Sequence, residues 1–286
     1  MELHPERSGF QIKDAKIPII IGIKRLESLK PHEEVLEDEL LSLSRSIRQD
    51  KVLRHPLLAD ARTGVVLDGN HRLVALRRMN CRLAPVALVD YNNPGIRVER
   101  WYRLIISGKL DDLWPGLQNL GLSMKNEERA AARELLDRRR VAAVIEDQDR
   151  SIVFESPRPE DTLDSFRTSF RVEKFLREKG LSVSYVDKKP EIIPEATLVL
   201  STVKLEKDEV VDVASSGRLY PPKTTRHLIP SRPLGTRVPV EWLTLDKPEI
   251  AQAKLMDHLS RMKLRRIEEG SIIGSRKYEE EVFLFE

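Results

Sequence analysis

Four polar groups stand within five consecutive residues at Asp68-Gly69-Asn70-His71-Arg72. Val65-Val66-Leu67 before them is a short, β-branched and apolar run suited to a covered strand. Leu73, Leu76 and Met79 after them recur at helical spacing, and Gly69 lets the backbone turn sharply between the two. A helix start leaves N–H groups unpaired and carries the positive end of the dipole, so such a turn attracts phosphate. His71 and Arg72 put two cation-capable donors in the first helical turn, and Asp68 offers a carboxylate to Mg²⁺. That is a phosphate site built without a P-loop. The plainer reading is an ordinary strand-to-helix turn, capped by Asp68 with Arg72 at the surface.

Two further segments carry reactive groups. In Leu29-Lys30-Pro31-His32-Glu33-Glu34, proline restricts the backbone just before two carboxylates, either of which is a candidate to accept a proton from an attacking hydroxyl. The chemistry alone does not separate Glu33 from Glu34, and both also suit the start of a helix. In Pro221-Pro222-Lys223-Thr224-Thr225-Arg226-His227, two prolines stiffen a run of donors. Lys223 and Arg226 bring charge, Thr224 and Thr225 hydroxyls, and His227 a group that donates or accepts. A lone basic loop of this kind is more simply a solvated one.

Taken together, the three segments resemble the ParB/sulfiredoxin-like fold, and within it the free-serine kinases, whose turn has the form Asp-Gly-x-His-Arg. They occur in order across about two thirds of the chain. The resemblance implies transfer of a phosphoryl group from ATP or ADP to the hydroxyl of free L-serine, giving O-phospho-L-serine for cysteine or serine metabolism. It also chooses Glu33 as the catalytic base and implies that Asp68, Gly69, Asn70, His71 and Arg72 hold nucleotide and phosphate, with Asp68 on Mg²⁺. Lys223, Thr224, Thr225, Arg226 and His227 are implied to close over the substrate, and Trp101 to lie near it. Asn70 stands where some members have a second histidine and where sulfiredoxins need a cysteine, so sulfiredoxin chemistry is unsupported. The rival within the fold is a partition-type nucleotide switch that binds CTP and clamps DNA. Neither its Gly-x-Arg-Arg turn nor a helix-turn-helix is found. A regulator that senses a nucleotide or amino acid without catalysis is the other alternative.

Composition narrows the classes further. The 49 basic and 46 acidic residues give a net charge of +3, too balanced to argue for nucleic acid. Cys81 is the single cysteine, which excludes an internal disulfide or a thiolate metal cluster. No apolar run approaches the ~20 residues that span a bilayer, and Met1 to Arg7 lacks the pattern of a signal peptide, so a cytoplasmic protein is expected. A charged fraction of 33% hints at a thermophilic source.

The elements that must position these groups alternate between strand and helix over residues 1–95. Ile17 to Ile23, Pro56 to Ala59, Val65 to Leu67 and Pro85 to Val89 read as strands. Leu36, Leu40, Leu43 and Ile47 form one helical stripe. Asn92-Asn93-Pro94-Gly95 is turn chemistry and the expected boundary. Residues 96–286 read as a second mixed domain. Its helices are expected at Glu127–Arg140, Thr162–Lys179, Asp208–Ser215 and Pro248–Arg265, and its strands at Val141–Ile145, Ile152–Phe154 and Thr197–Val203. The expected class is therefore α/β (α+β): a ParB/sulfiredoxin-like N-terminal domain, a second α/β domain, and an active site in the cleft between them. The pattern gives no oligomeric state.

Overall fold

The structure, a computed structural model, describes residues 9–274 and 276–286. The opening residues 1–7, on which the expectation of a cytoplasmic protein partly rests, lie outside the described residues. The architecture is mixed α/β, in two compact units. The first comprises Met1–Arg97, Val211–Arg218 and His227–Glu286; the second comprises Val98–Val210 and Leu219–Arg226.

This division departs from 1–95 and 96–286 in that Val211–Arg218 and the last sixty residues, His227–Glu286, return to the first unit. The reason is pairing at long range. Val238–Pro239 joins Val52–Leu53 antiparallel, and the side chain of Gln252 accepts the Ile23 N–H at 2.6 Å. The helix Pro248–Arg261 thereby packs on the strand Ile20–Arg25. It ends at Arg261, short of the expected Arg265, because Leu264–Ile267 is a strand paired antiparallel with Glu281–Phe285.

In the first unit a five-stranded sheet runs in the order Phe10–Gln11, Ile20–Arg25, Leu83–Val89, Leu57–Asp60, Val66–Asp68. The pairing of Leu57–Asp60 with Leu83–Val89 is parallel and the others are antiparallel. Helix α1 (Glu37–Asp50) buries Leu40 and Ile47, while α2 (Asn70–Arg78) buries Leu73, Ala75 and Leu76. Each fully buried leucine contributes about 1.5–3 kcal/mol, so the apolar spacing after the signature turn anchors α2 firmly. Before α1, Lys30 bridges to Val65: its N–H reaches Gly64 O at 2.9 Å and its carbonyl accepts Val66 N–H at 2.9 Å. The chain entering Pro31-His32-Glu33 is thus stitched to the strand that leads into Asp68.

The second unit holds a six-stranded antiparallel sheet in the order Ser182–Val186, Tyr102–Ile106, Thr197–Thr202, Ala143–Glu146, Ser151–Phe154, Met124–Glu127. One face carries Ile105, Ala143, Ile145, Leu198 and Leu200 against the helices α3 (Leu110–Gln118) and α5 (Thr162–Glu178). Helix α4 (Arg129–Asp137) starts later than the expected Glu127. Met124–Glu127 is an edge strand on Ser151–Phe154, and the Glu128 carboxylate caps α4 by accepting from Ala130 and Ala131 N–H.

A buried ion pair organises the strand Tyr102–Ile106. Arg103 Nε donates to Glu173 at 3.0 Å with both side chains 2% exposed, and Arg177 and Tyr185 also donate to Glu173. Burial, with the Glu173 charge beside it, pushes the Tyr185 hydroxyl up to about 12. Arg103 spends its other nitrogens on the carbonyls of Trp101 at 2.9 Å and Lys223 at 3.1 Å. Removing the carboxylate leaves an uncompensated buried guanidinium, which is worth about 3–5 kcal/mol. Glu173→Ala is therefore expected to lower stability by that amount in urea unfolding followed by circular dichroism.

Candidate active site

Gly69 makes the signature turn. Its φ of 107° lies in the left-handed region, and a Cβ there would stand 2.9 Å from the Arg72 guanidinium. Leu73 N–H closes the first helical bond onto Gly69 O at 2.9 Å, and no side chain caps the start of α2. The helix therefore begins with its positive end uncapped by the protein's own side chains. Asn70 sits at that start, and its Oδ1 is buried without a hydrogen-bond partner.

Asp68 and Arg72 hold each other across one helical turn. Arg72 Nη2 donates to Asp68 Oδ2 at 2.7 Å, while Nη1 donates to the Pro56 carbonyl at 2.6 Å. Arg72 is neither a surface residue nor a free phosphate ligand in this arrangement, because its guanidinium builds the turn. Arg232, in the strand Ser231–Leu234, donates to the same Asp68 Oδ2 at 2.7 Å and pairs on its other side with Glu280. Burial acts to raise the Asp68 carboxyl, but the charges of Arg72 and Arg232 outweigh it and hold it well below the usual carboxylate range.

His32 is buried, and its Nδ1 donates to the Val66 carbonyl at 2.7 Å. That bond assigns the Nδ1 proton and leaves Nε2 toward Glu33, 3.6 Å from Oε1. His71 differs from the cation expected of it. Its Nε2 accepts the Leu36 N–H at 3.1 Å, so the ring is neutral as placed, with Nδ1 carrying the proton. His227 is buried in the first unit, edge-on to His32 at 5.3 Å between ring centres, and its Nε2 is hydrogen-bonded to the Tyr91 hydroxyl at 2.7 Å. Burial, then the charges of His32 and Arg232, drive His227 down to about 3, against opposing contributions from Glu33 and Asp68. The first unit thus gathers Glu33, His32, Asp68 and His227 into one electrostatic neighbourhood.

The rest of the downstream segment, Lys223 to Arg226, belongs to the second unit. Trp101 Nε1 donates to the Thr225 carbonyl at 3.0 Å, and the Arg226 guanidinium lies over the Trp101 ring at 5.5 Å. Arg226 also stands 3.6 Å from Asp187. Thr224 is buried and its hydroxyl donates to the Pro221 carbonyl at 2.8 Å, so it shapes the turn with its own backbone. Lys223 takes a φ of 57° at the tip of that turn. Trp101 is a scaffold for this segment, a role its aromatic bulk suits.

Comparison with known proteins bears out the family that the turn resembles. No family model matches the chain. An ATP-dependent L-serine kinase of Staphylothermus marinus is 24% identical over 242 residues, 79% of this chain and 91% of the relative. An ADP-dependent L-serine kinase of Thermococcus kodakarensis is 26% identical, over 73% of this chain and 86% of the relative. Among solved structures, a glutamate-to-alanine variant of a free serine kinase in complex with ADP superposes with a TM-score of 0.68 at 23% identity, covering 84% of this chain and 98% of that one. C-terminally truncated SbnI of Staphylococcus aureus gives 0.67 at 20% identity, over 84% and 95%. The fold is that of the free serine kinases.

Several residues of the site carry no signal in the sequence. Arg232 is one, paired with a carboxylate 164 positions upstream. Tyr91 is another: its N–H is held by the buried Asp60 at 3.0 Å and its hydroxyl by His227. His55 accepts the Gly235 N–H at 3.0 Å and is lowered by burial, then by Arg72, to about 4. Only the pairing partners, not the residue types, mark these positions out. Among the described residues no helix is long and apolar enough to cross a membrane.

Depressed histidines set a pH dependence. His227 stays neutral down to about 3 in the folded chain but protonates near 6.5 once unfolded. Between those values the unfolded state binds more protons, so stability falls as pH drops below about 6.5, with a limiting slope of about 1.4 kcal/mol per pH unit for this one group. His227→Asn is expected to flatten the dependence by that slope in urea unfolding midpoints taken between pH 8 and pH 5.

Proposed function

We propose that the chain phosphorylates free L-serine, taking the phosphoryl group from ATP or ADP and releasing O-phospho-L-serine. The observation that carries this reading is the setting of Glu33: a carboxylate stitched beside the signature turn, next to a histidine whose tautomer is assigned by the Val66 carbonyl. Similarity to L-serine kinases along most of the chain supports it.

In the proposed step the serine Oγ attacks the terminal phosphorus of the nucleotide. The new P–O bond forms as the bond to the bridging oxygen breaks, and the hydroxyl proton passes to the Glu33 carboxylate. The uncapped start of α2, where Asn70 sits, offers N–H groups to the phosphates. Lys223 and Arg226 are proposed to serve the substrate carboxylate and the transferring group, with Thr225 beside them.

Mg²⁺ fits this donor set in one limited way. Among the described residues no group of three or more His, Cys, Asp or Glu side chains is placed to hold a metal. Both guanidinium contacts fall on Asp68 Oδ2, so Oδ1 is the oxygen that would hold Mg²⁺, and a single carboxylate together with substrate phosphates is ordinary for that ion. When bound there it would neutralise charge on the phosphates. A warm-adapted protein of the cytoplasm remains part of this reading, in keeping with relatives from Staphylothermus and Thermococcus.

The test is incubation of the protein with L-serine, Mg²⁺ and, separately, ATP, ADP and CTP, read by ³¹P NMR. Phosphoserine is expected with ATP or ADP; its absence with every donor, from folded protein, overturns the reaction. Glu33→Gln is expected to keep its circular dichroism and melting temperature while kcat falls by about 10²–10⁴. Near-normal turnover in that variant overturns the assignment of the base and leaves the reaction standing.

A further inference from the structure

The sheet of the second unit has a second face, opposite the one that α3 and α5 cover. Val144 and Glu146 alternate with the core residues Ala143 and Ile145, so they point to this other face, and Ser201 lies beside Val144 in register. Helix α4 covers only part of it. A cavity of about 450 Å³ remains, floored by Glu146 and Ser201 and walled by Arg100, Arg133 and Lys189. All of these residues belong to the second unit. The volume is at the lower end of the range for small-molecule pockets.

The floor is chemically incomplete. Glu146 is 1% exposed, yet its Oε2 has no hydrogen-bond partner. Lys189 lies directly against Oε1, with Arg129 at 3.6 Å and Arg133 at 3.7 Å from the same oxygen, which leaves Oε2 with no donor. The Ser201 hydroxyl is buried and also lacks a partner. Buried polar atoms in native proteins are satisfied by protein, water or ligand, and an unpaired one costs about 1–3 kcal/mol. Three cations surround the Glu146 carboxylate, and with Glu191, a second carboxylate of the cavity lining, counted against them, a surplus of one positive charge remains. Burial acts to lower the Lys189 ammonium, and Glu146 opposes it. Arg100 is not part of that surplus, since it is engaged by Asp137 at 3.0 Å and the Thr202 carbonyl at 2.6 Å.

A simple anion would meet Glu146, and a simple cation would meet Lys189, Arg129 and Arg133. What answers both is a small molecule with an ammonium and a carboxylate a few bonds apart. We propose that this cavity binds a free α-amino acid, its ammonium on Glu146 Oε2 and its carboxylate on Lys189 and Arg133. Ser201 Oγ then completes its hydrogen bonding against either end. The site is built wholly from the second unit, uses none of the residues assigned to phosphoryl transfer, and would give the enzyme a binding site for an effector of the same chemical class as its proposed substrate.

The experiment is isothermal titration calorimetry of the full chain without nucleotide, using glycine, L-alanine, L-serine and L-cysteine. Ethylamine and propionate, which are L-alanine without its carboxylate and without its amine, serve as controls. At least one amino acid is expected to bind saturably at one site, with affinity unchanged in Glu33→Gln and weakened about tenfold or more in Glu146→Gln and Arg133→Ala. Ethylamine and propionate are expected to bind at least about tenfold more weakly than L-alanine. If Glu146→Gln does not fold, the half-exposed Arg133 still decides through its alanine variant. No saturable binding at concentrations on the order of 10 mM overturns the proposal, as does binding that Arg133→Ala leaves unchanged or that ethylamine matches. Phosphoserine formation is measured separately, so loss of one reading leaves the other intact.

Discussion

One carboxylate oxygen organises the first unit. Asp68 Oδ2 receives Arg72 from four residues downstream and Arg232 from 164 residues downstream, each at 2.7 Å. A guanidinium does not lose its proton in a protein, so Arg232, nearly enclosed, has to be met by carboxylates, and Asp68 and Glu280 meet it. That requirement fastens the strand Ser231–Leu234, and the segment running parallel to it at Glu281–Phe285, to the strand-to-helix turn. The start of α2 is consequently held by distant parts of the chain rather than by a local cap. A helix start fixed without a capping side chain keeps its N–H groups available, and phosphate recognition needs that availability.

Legibility in the sequence follows the same split between local and distant causes. The strand Val66–Asp68, the turn at Gly69 and helix α2 were all readable, because a β-branched run, a residue tolerant of positive φ and leucines at helical spacing act within a dozen positions. Lys30's bridge to Val65 and His32's bond to Val66 were not readable, although the segment that carries them was singled out by its residue types. The helix expected from Glu127 begins only at Arg129, because Glu127 closes the edge strand Met124–Glu127, where pairing with Ser151–Phe154 overrides the helical propensity of a charged, unbranched residue. Leu110–Gln118 went unread: Pro115 lies inside it, and proline in a sequence argues against a helix. The return of residues 227–286 to the first unit rests on contacts such as Gln252 with Ile23, which no periodicity encodes.

The site residues sort in the same way. Asp68 and Arg72 were found, but their relation was not: the sequence shows two polar groups at a turn, and the structure shows each spending its charge on the other. Thr224 was counted among donors for a substrate and instead closes its own turn on Pro221. Trp101 was placed near the substrate by resemblance, and its indole N–H holds the backbone of Thr225, which orders the segment carrying Lys223 and Arg226. A polar residue in a motif has a type that anyone can read, whereas its partner is set by tertiary geometry, and the partner decides whether the group is free to act.

That distinction bears on how a carboxylate can serve as a base in so basic a neighbourhood. A full positive charge beside a carboxylate makes it a poorer proton acceptor. Two of the three histidines here are held from supplying one. His71 Nε2 accepts the Leu36 N–H, and His227, hydrogen-bonded to the Tyr91 hydroxyl, is held neutral by burial, while His32 lies against Glu33 itself, Nε2 to Oε1 at 3.6 Å. Asp68 in turn absorbs the charge of Arg72 and Arg232. With the charge of both arginines spent on carboxylates, the dipole of α2 is proposed to meet the nucleotide, a field strong enough to orient phosphates and too diffuse to quench Glu33 as the proposed base.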